Sequence, residues 1–124
     1  MARSAWIPSL LLALLGSSAC GETDPGPGDP PPTSVSVEVG NDFFRGLVNG
    51  AEPAVDTVSV NGTVTWTWID LGEHVVSFDD PDFPMSAPQT EIGSQHTQTF
   101  PAAGTFPYLC AIHGPAMSGS IVVR

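Results

Sequence analysis

The sequence predicts an all-β fold, a single antiparallel β-sandwich, on three observations. Short runs rich in Val, Thr and aromatic residues alternate apolar with polar positions. Turn-forming clusters such as Asn61-Gly62, Asp79-Asp80-Pro81-Asp82 and Pro101-Ala102-Ala103-Gly104 separate those runs. No window shows a convincing helical period. At 124 residues the chain has room for one core and not for two.

Residues 1–19 read as an export signal. Arg3 supplies the charged start, Ile7 to Leu15 form a short apolar run, and Gly16-Ser17-Ser18-Ala19 gives the small residues of a cleavage site. The run is too short to span a membrane. Cleavage before Cys20 has two outcomes. In a lipoprotein Cys20 becomes the acylated N-terminal residue; this is favoured because the cysteine stands at the boundary and a polar tether follows. In ordinary secretion Ser17 and Ala19 satisfy the small-residue rule, and Ser17 stands where lipoprotein signals usually carry Leu. Either way the destination is the periplasmic or cell-surface side.

Residues 20–34 form the tether: after Cys20, residues 21–34 are rich in Pro, Gly and acids with no apolar residue to bury, an extended spacer that can reach about 40 Å in the polyproline conformation. The folded domain is expected over 35–124. Val35, Val37 and Val39 share one strand face. Val58 and Val60 lead through Asn61-Gly62 into Val64, Trp66 and Trp68, with Thr63, Thr65 and Thr67 on the opposite face. Val75 to Phe78, Gln95 to Phe100, Thr105 to Leu109 and Gly119 to Val123 are further strands. Phe43 and Phe44 pack near the start of the domain, and 49–53 read as a loop. Trp66, Trp68, Phe100 and Phe106 are core residues.

Without its leader the chain keeps Arg45 and Arg124 as its only fixed cations, against 13 acids and no lysine. That balance disfavours nucleic acid, and leaves membrane contact to the N-terminal lipid alone. A protein partner with a basic docking face is the natural complement. Cys20 and Cys110 are the only cysteines. A bridge between them would need the leader retained or the tether folded back, so Cys110 reads better as a metal ligand.

The chemistry is concentrated in Tyr108-Leu109-Cys110-Ala111-Ile112-His113-Gly114-Pro115-Ala116-Met117, with His74 upstream. One Cys, two His and a Met form the donor set that selects copper for electron transfer. Cys110 ends one strand, His113 lies on the connecting loop, Met117 precedes the next strand, and His74 arrives from a separate strand. Each residue alone has a plainer use: a surface histidine, a small buried thiol, a core methionine. Met85 offers a poor axial substitute, and His96, mid-strand, reads as structural or exposed.

These segments, with Val64-Thr65-Trp66-Thr67-Trp68 and Glu73-His74-Val75-Val76-Ser77-Phe78-Asp79, make the chain resemble the cupredoxins, the small blue copper proteins. The plastocyanin-like members are nearest. The resemblance covers roughly Val35 to Val123 and implies a Greek-key sandwich with one type 1 copper ion held by His74, Cys110, His113 and Met117. Two departures stand out. The spacing from His113 to Met117 is one residue shorter than in plastocyanins and is similar to azurins. Val75 stands where plastocyanins usually carry Asn, so the side-chain clamp across the site is missing or supplied otherwise.

The resemblance implies a monomeric one-electron carrier cycling between Cu(I) and Cu(II), and not an enzyme. His113 would be the electron route, and His113, Gly114, Pro115 and Ala116 the docking surface for redox protein partners. The alternative is a copper delivery or storage protein without an electron-transfer partner. Asp79, Asp80 and Asp82 are either partner-steering acids or a solvated loop.

Overall fold

The computed structural model describes residues 28–124. The expected export signal, Cys20 and most of the tether lie outside the described residues. Eight strands follow in order: β1 (Ser34–Gly40), β2 (Phe43–Gly46), β3 (Ala54–Val58), β4 (Gly62–Trp68), β5 (Val76–Phe78), β6 (Gln95–Phe100), β7 (Gly104–Cys110) and β8 (Gly114–Val123). They form two four-stranded sheets, ordered β2-β1-β4-β6 and β3-β8-β7-β5. The expected all-β sandwich is present.

Strict alternation builds its interior. Val35, Val37 and Val39 of β1 and Val64, Trp66 and Trp68 of β4 are buried. The threonines of β4 face outward, where Thr63 and Thr65 lie 3.4 and 3.3 Å, hydroxyl to hydroxyl, from Thr99 and Thr97 of β6. Phe44, Phe78, Phe100, Tyr108, Met117, Ile121 and Val123 complete the core, with Phe83 and Phe106 packed against it. Each large side chain withdrawn from water contributes about 1.5–3 kcal/mol. Burial, reinforced by Asp56, pushes the Tyr108 phenol well above its ordinary pKa.

The sheets are mixed, whereas the sequence pattern suggested antiparallel pairing throughout. β1 pairs parallel with β4, and β3 parallel with β8. The reason is the route of the chain: after the β1–β2 hairpin it crosses to the second sheet for β3 and returns beside β1. Asn61-Gly62 is therefore a crossover turn between sheets and not a hairpin tip. Asn61 takes a positive φ of 65°, and Gly62 N–H donates to Ser59 O at 2.7 Å. Val60, read as a strand residue, is exposed on this turn.

Two strands had no clear signature. β2 is four residues long, and its alternation of half-buried and buried positions is not matched by apolar and polar residue types in Phe43-Phe44-Arg45-Gly46. β3 turns Ala54, Asp56 and Val58 inward, so a buried carboxylate interrupts its apolar face. At the other end, β8 begins at Gly114, five residues before the strand expected from the sequence.

Candidate metal centre

The centre forms at one rim of the sandwich, where three backbone devices bring distant donors together. Val76 of β5 pairs with Cys110 of β7, which sets the chain just before β5 beside the end of β7. Val75 N–H points to Cys110 Sγ at 3.5 Å, and Val75 O accepts Ala111 N–H at 3.2 Å. His74 is fixed by a two-way bridge with Gln89, each backbone N–H lying 3.2 Å from the other's carbonyl. Val75 thus clamps the site through its backbone, in place of the side-chain clamp that its sequence position lacks.

The third device is the β7–β8 connection. Ala111 to His113 form a tight turn closed by the Cys110–Gly114 pair, and Gly114 takes a φ of 73° that suits glycine. The next ladder pair is Leu109–Ser118, so Pro115 to Met117 are the extra residues of a β-bulge.

His74 Nδ1 lies 3.3 Å from His113 Nδ1, and Cys110 Sγ lies 3.4 Å from the same nitrogen. One donor atom from each residue falls within 4.8 Å of the others. Cys110 and His74 are buried, whereas the His113 side chain keeps 35% of its surface exposed. One thiol sulfur and two imidazole nitrogens aimed at one point form a donor set for a soft or borderline cation, and copper suits it.

Each imidazole presents its other nitrogen to a carboxylate. His74 Nε2 is 3.2 Å from Asp70 Oδ1, and His113 Nε2 is 3.3 Å from Asp42 Oδ1. Asp42 sits with φ 60° at the tip of the β1–β2 hairpin, a conformation that Asp tolerates better than most residues. Neither acid carries a distinguishing motif in the sequence. Asp70-Leu71-Gly72, a turn pattern just ahead of His74, was the one local signal available.

Met117 lies in the bulge on β8, 1% exposed and packed in the core, on the strand paired with Cys110. It falls inside the strand and not before it. Gly114 is half-buried, Pro115 and Ala116 are exposed, and Ile112 is 47% exposed beside them. Met85 is exposed. His96 packs on Trp66, ring centroids 5.8 Å apart, away from the three donors.

No known family profile matches the chain. Halocyanin from Natronomonas pharaonis is 38% identical over 77 residues, which is 59% of this chain and 47% of the relative. The chain therefore spans about half the length of that relative. A Cu(I) form of an amicyanin variant superposes with TM-score 0.60 at 22% identity, covering 83% of this chain and 93% of that one. The Cu-containing nitrite reductase of Thermus scotoductus SA-01 gives TM-score 0.59 at 26% identity, over 77% of this chain but 23% of that protein. The chain shares the fold of the amicyanin structures.

Proposed function

We propose that this protein is a type 1 blue copper protein that carries single electrons outside the cytoplasm. The observation that carries this reading is the convergence of one donor atom each from His74, Cys110 and His113 within 4.8 Å of one another at the rim of the sandwich. Similar folds in a Cu(I) amicyanin and a Cu-containing nitrite reductase support copper as the ion. Bound copper would supply a one-electron couple between Cu(I) and Cu(II).

The chain's residues divide the work. Cys110 gives the thiolate, and Val75 N–H lies where it stabilises charge on the sulfur. His74 is the buried imidazole and His113 the partly exposed one, the route by which an electron leaves. Met117, buried on the strand paired with Cys110, would be the fourth residue to hold the ion. Ladders on both sides of Cys110 resist movement, which keeps reorganisation small when the charge changes. His113, Gly114, Pro115 and Ala116 form the docking surface, and the acidic balance favours a basic partner in a brief encounter. An enzymatic role at a second copper would need further histidines. The chain has three in all, and the third, His96, packs at a tilt against Trp66.

The location reading rests on residues 1–19 as a signal and Cys20 as a lipid-bearing N-terminus, with 20–34 as the tether. Mass spectrometry of the mature N-terminus tests it.

Purified protein given Cu(II) should bind one ion per chain and turn intensely blue, and Cys110→Ser should abolish the colour. A colourless parent, or colour that survives Cys110→Ser, overturns the reading. A reversible one-electron wave with fast exchange separates a carrier from a storage protein.

A further inference from the structure

We propose that Asp42 and Asp70 are positioning residues of the metal centre: each carboxylate holds the Nε2–H of one imidazole, turns its Nδ1 to the common point, and biases bound copper toward Cu(II). The inference rests on the copper reading above and names what regulates that site.

The His74 ring is 1% exposed, so water cannot satisfy a ring N–H there, and a buried donor needs an acceptor. A neutral imidazole has one donor and one acceptor nitrogen, and a carboxylate only accepts. Asp70 Oδ1, 3.2 Å from Nε2, therefore assigns the proton to Nε2 and leaves the Nδ1 lone pair for the metal.

Asp70 is itself held. Gly72 N–H donates to the same Oδ1 at 3.0 Å. A Cβ on residue 72 would lie 2.8 Å from His74 Nε2 and 3.3 Å from Asp70 Oδ1, so glycine is what lets this turn close over the ring. The Asp70–Gly72 turn and the Gln89 bridge fix the side chain and the backbone of His74 independently.

Asp42 repeats the arrangement for His113 from the other sheet. The β1–β2 hairpin tip carries Asp42 across the rim to within 3.3 Å of His113 Nε2. With both protons on Nε2, two Nδ1 lone pairs 3.3 Å apart face each other and the sulfur. A cation is what resolves that repulsion.

Two carboxylates hydrogen-bonded to the imidazoles that would hold the ion add negative charge near it. That charge favours Cu(II) over Cu(I) and lowers the reduction potential. Asp70 is 26% exposed and Asp42 64%, so solvent screens Asp42 more and its effect is the smaller.

The test separates acceptor from charge. Asp→Asn keeps an acceptor and removes the charge, whereas Asp→Ala removes both. Loss of such partners costs about 10–100-fold in metal affinity. Asp70→Asn should lose about tenfold in Cu(II) over Cu(I) affinity, read as a potential about 59 mV higher. Asp42→Asn should shift the same way by less. The charge control is Asp82→Asn, beside Phe83 and Phe106 at the opposite end, and it should move the potential least.

In copper-free protein, ¹⁵N NMR should find the His74 proton on Nε2. Asp70→Ala should lose that preference and Asp70→Asn should retain it. Potentials of Asp70→Asn and Asp42→Asn equal to that of Asp82→Asn, in a blue parent, overturn the inference and leave the copper reading intact. A parent that takes up no copper overturns the copper reading. The ¹⁵N spectra still decide orientation in that case: Nε2–H supports it and Nδ1–H overturns it.

Discussion

His74 and His113 stand 39 positions apart in the chain, yet their Nδ1 atoms lie 3.3 Å from each other. The two rings differ sharply in setting, one sealed in the rim and the other open to solvent. Their substitutions should therefore separate binding from folding. His113→Ala should weaken copper binding while changing copper-free stability by no more than about 0.5 kcal/mol. His74→Ala should weaken binding and also cost about 2 kcal/mol or more, because it opens a buried cavity and strands Asp70. Urea unfolding with a chelator present checks both, and equal losses would contradict the assigned settings.

Met117 joins the core to the proposed site. Met117→Ala should destabilise the copper-free domain by about 2–5 kcal/mol. Met117→Leu, which conserves volume, should cost less than about 1.5 kcal/mol. The blue colour should survive in Met117→Leu and the potential should change. An unchanged potential would remove Met117 from the ligand set while leaving its packing role.

Gly119 faces Tyr108 across the β7–β8 ladder. A Cβ there would lie 2.5 Å from the Tyr108 hydroxyl and 3.0 Å from Ala54 O, so both ring and backbone would have to shift. Gly119→Ala should cost about 1–3 kcal/mol as overpacking. A stability curve superimposable on the parent's would show that this contact relaxes freely.

His96 offers a pH test away from the metal. Burial lowers its pKa below the usual 6.5. Between the folded value and 6.5 the unfolded chain binds more protons than the folded one, so stability rises with pH across that window. The contribution is present above 6.5 and is lost as pH falls through the folded pKa. Urea midpoints followed by tryptophan fluorescence should decline on acidification below about 6.5, and His96→Gln should flatten that decline. Parallel profiles for the two proteins would contradict it.

Copper should act as a cross-link between distant segments. With free Cu(II) at 100 times its Kd, stability should rise by about 2.7 kcal/mol. The increment should vanish in Cys110→Ser, and thermal unfolding with and without copper measures it.

Much of this was legible in the sequence because the signals were local. The Val35-Val37-Val39 and Val64-Trp66-Trp68 faces declare themselves by alternation, and Cys110 and His113 are separated by one turn. What stayed hidden depended on the path of the chain. Parallel pairing of β1 with β4 follows from a crossover that Asn61-Gly62 does not encode. β3 was masked by Asp56 on its inward face. Asp42 resembles any exposed acid until the hairpin lays it against His113. The backbone clamp at Val75 could not be read from a side chain that has no polar atom.

The β7–β8 connection holds Cys110, His113 and Met117 between two pinned ends, while His74 is anchored elsewhere. A bulge already absorbs extra residues there without disturbing the ladder from Leu109 to Gly104. The scaffold and the metal chemistry are therefore separately heritable. Exchanging one short stretch replaces three proposed donors and their spacing together, and the two sheets beneath it need not be redesigned.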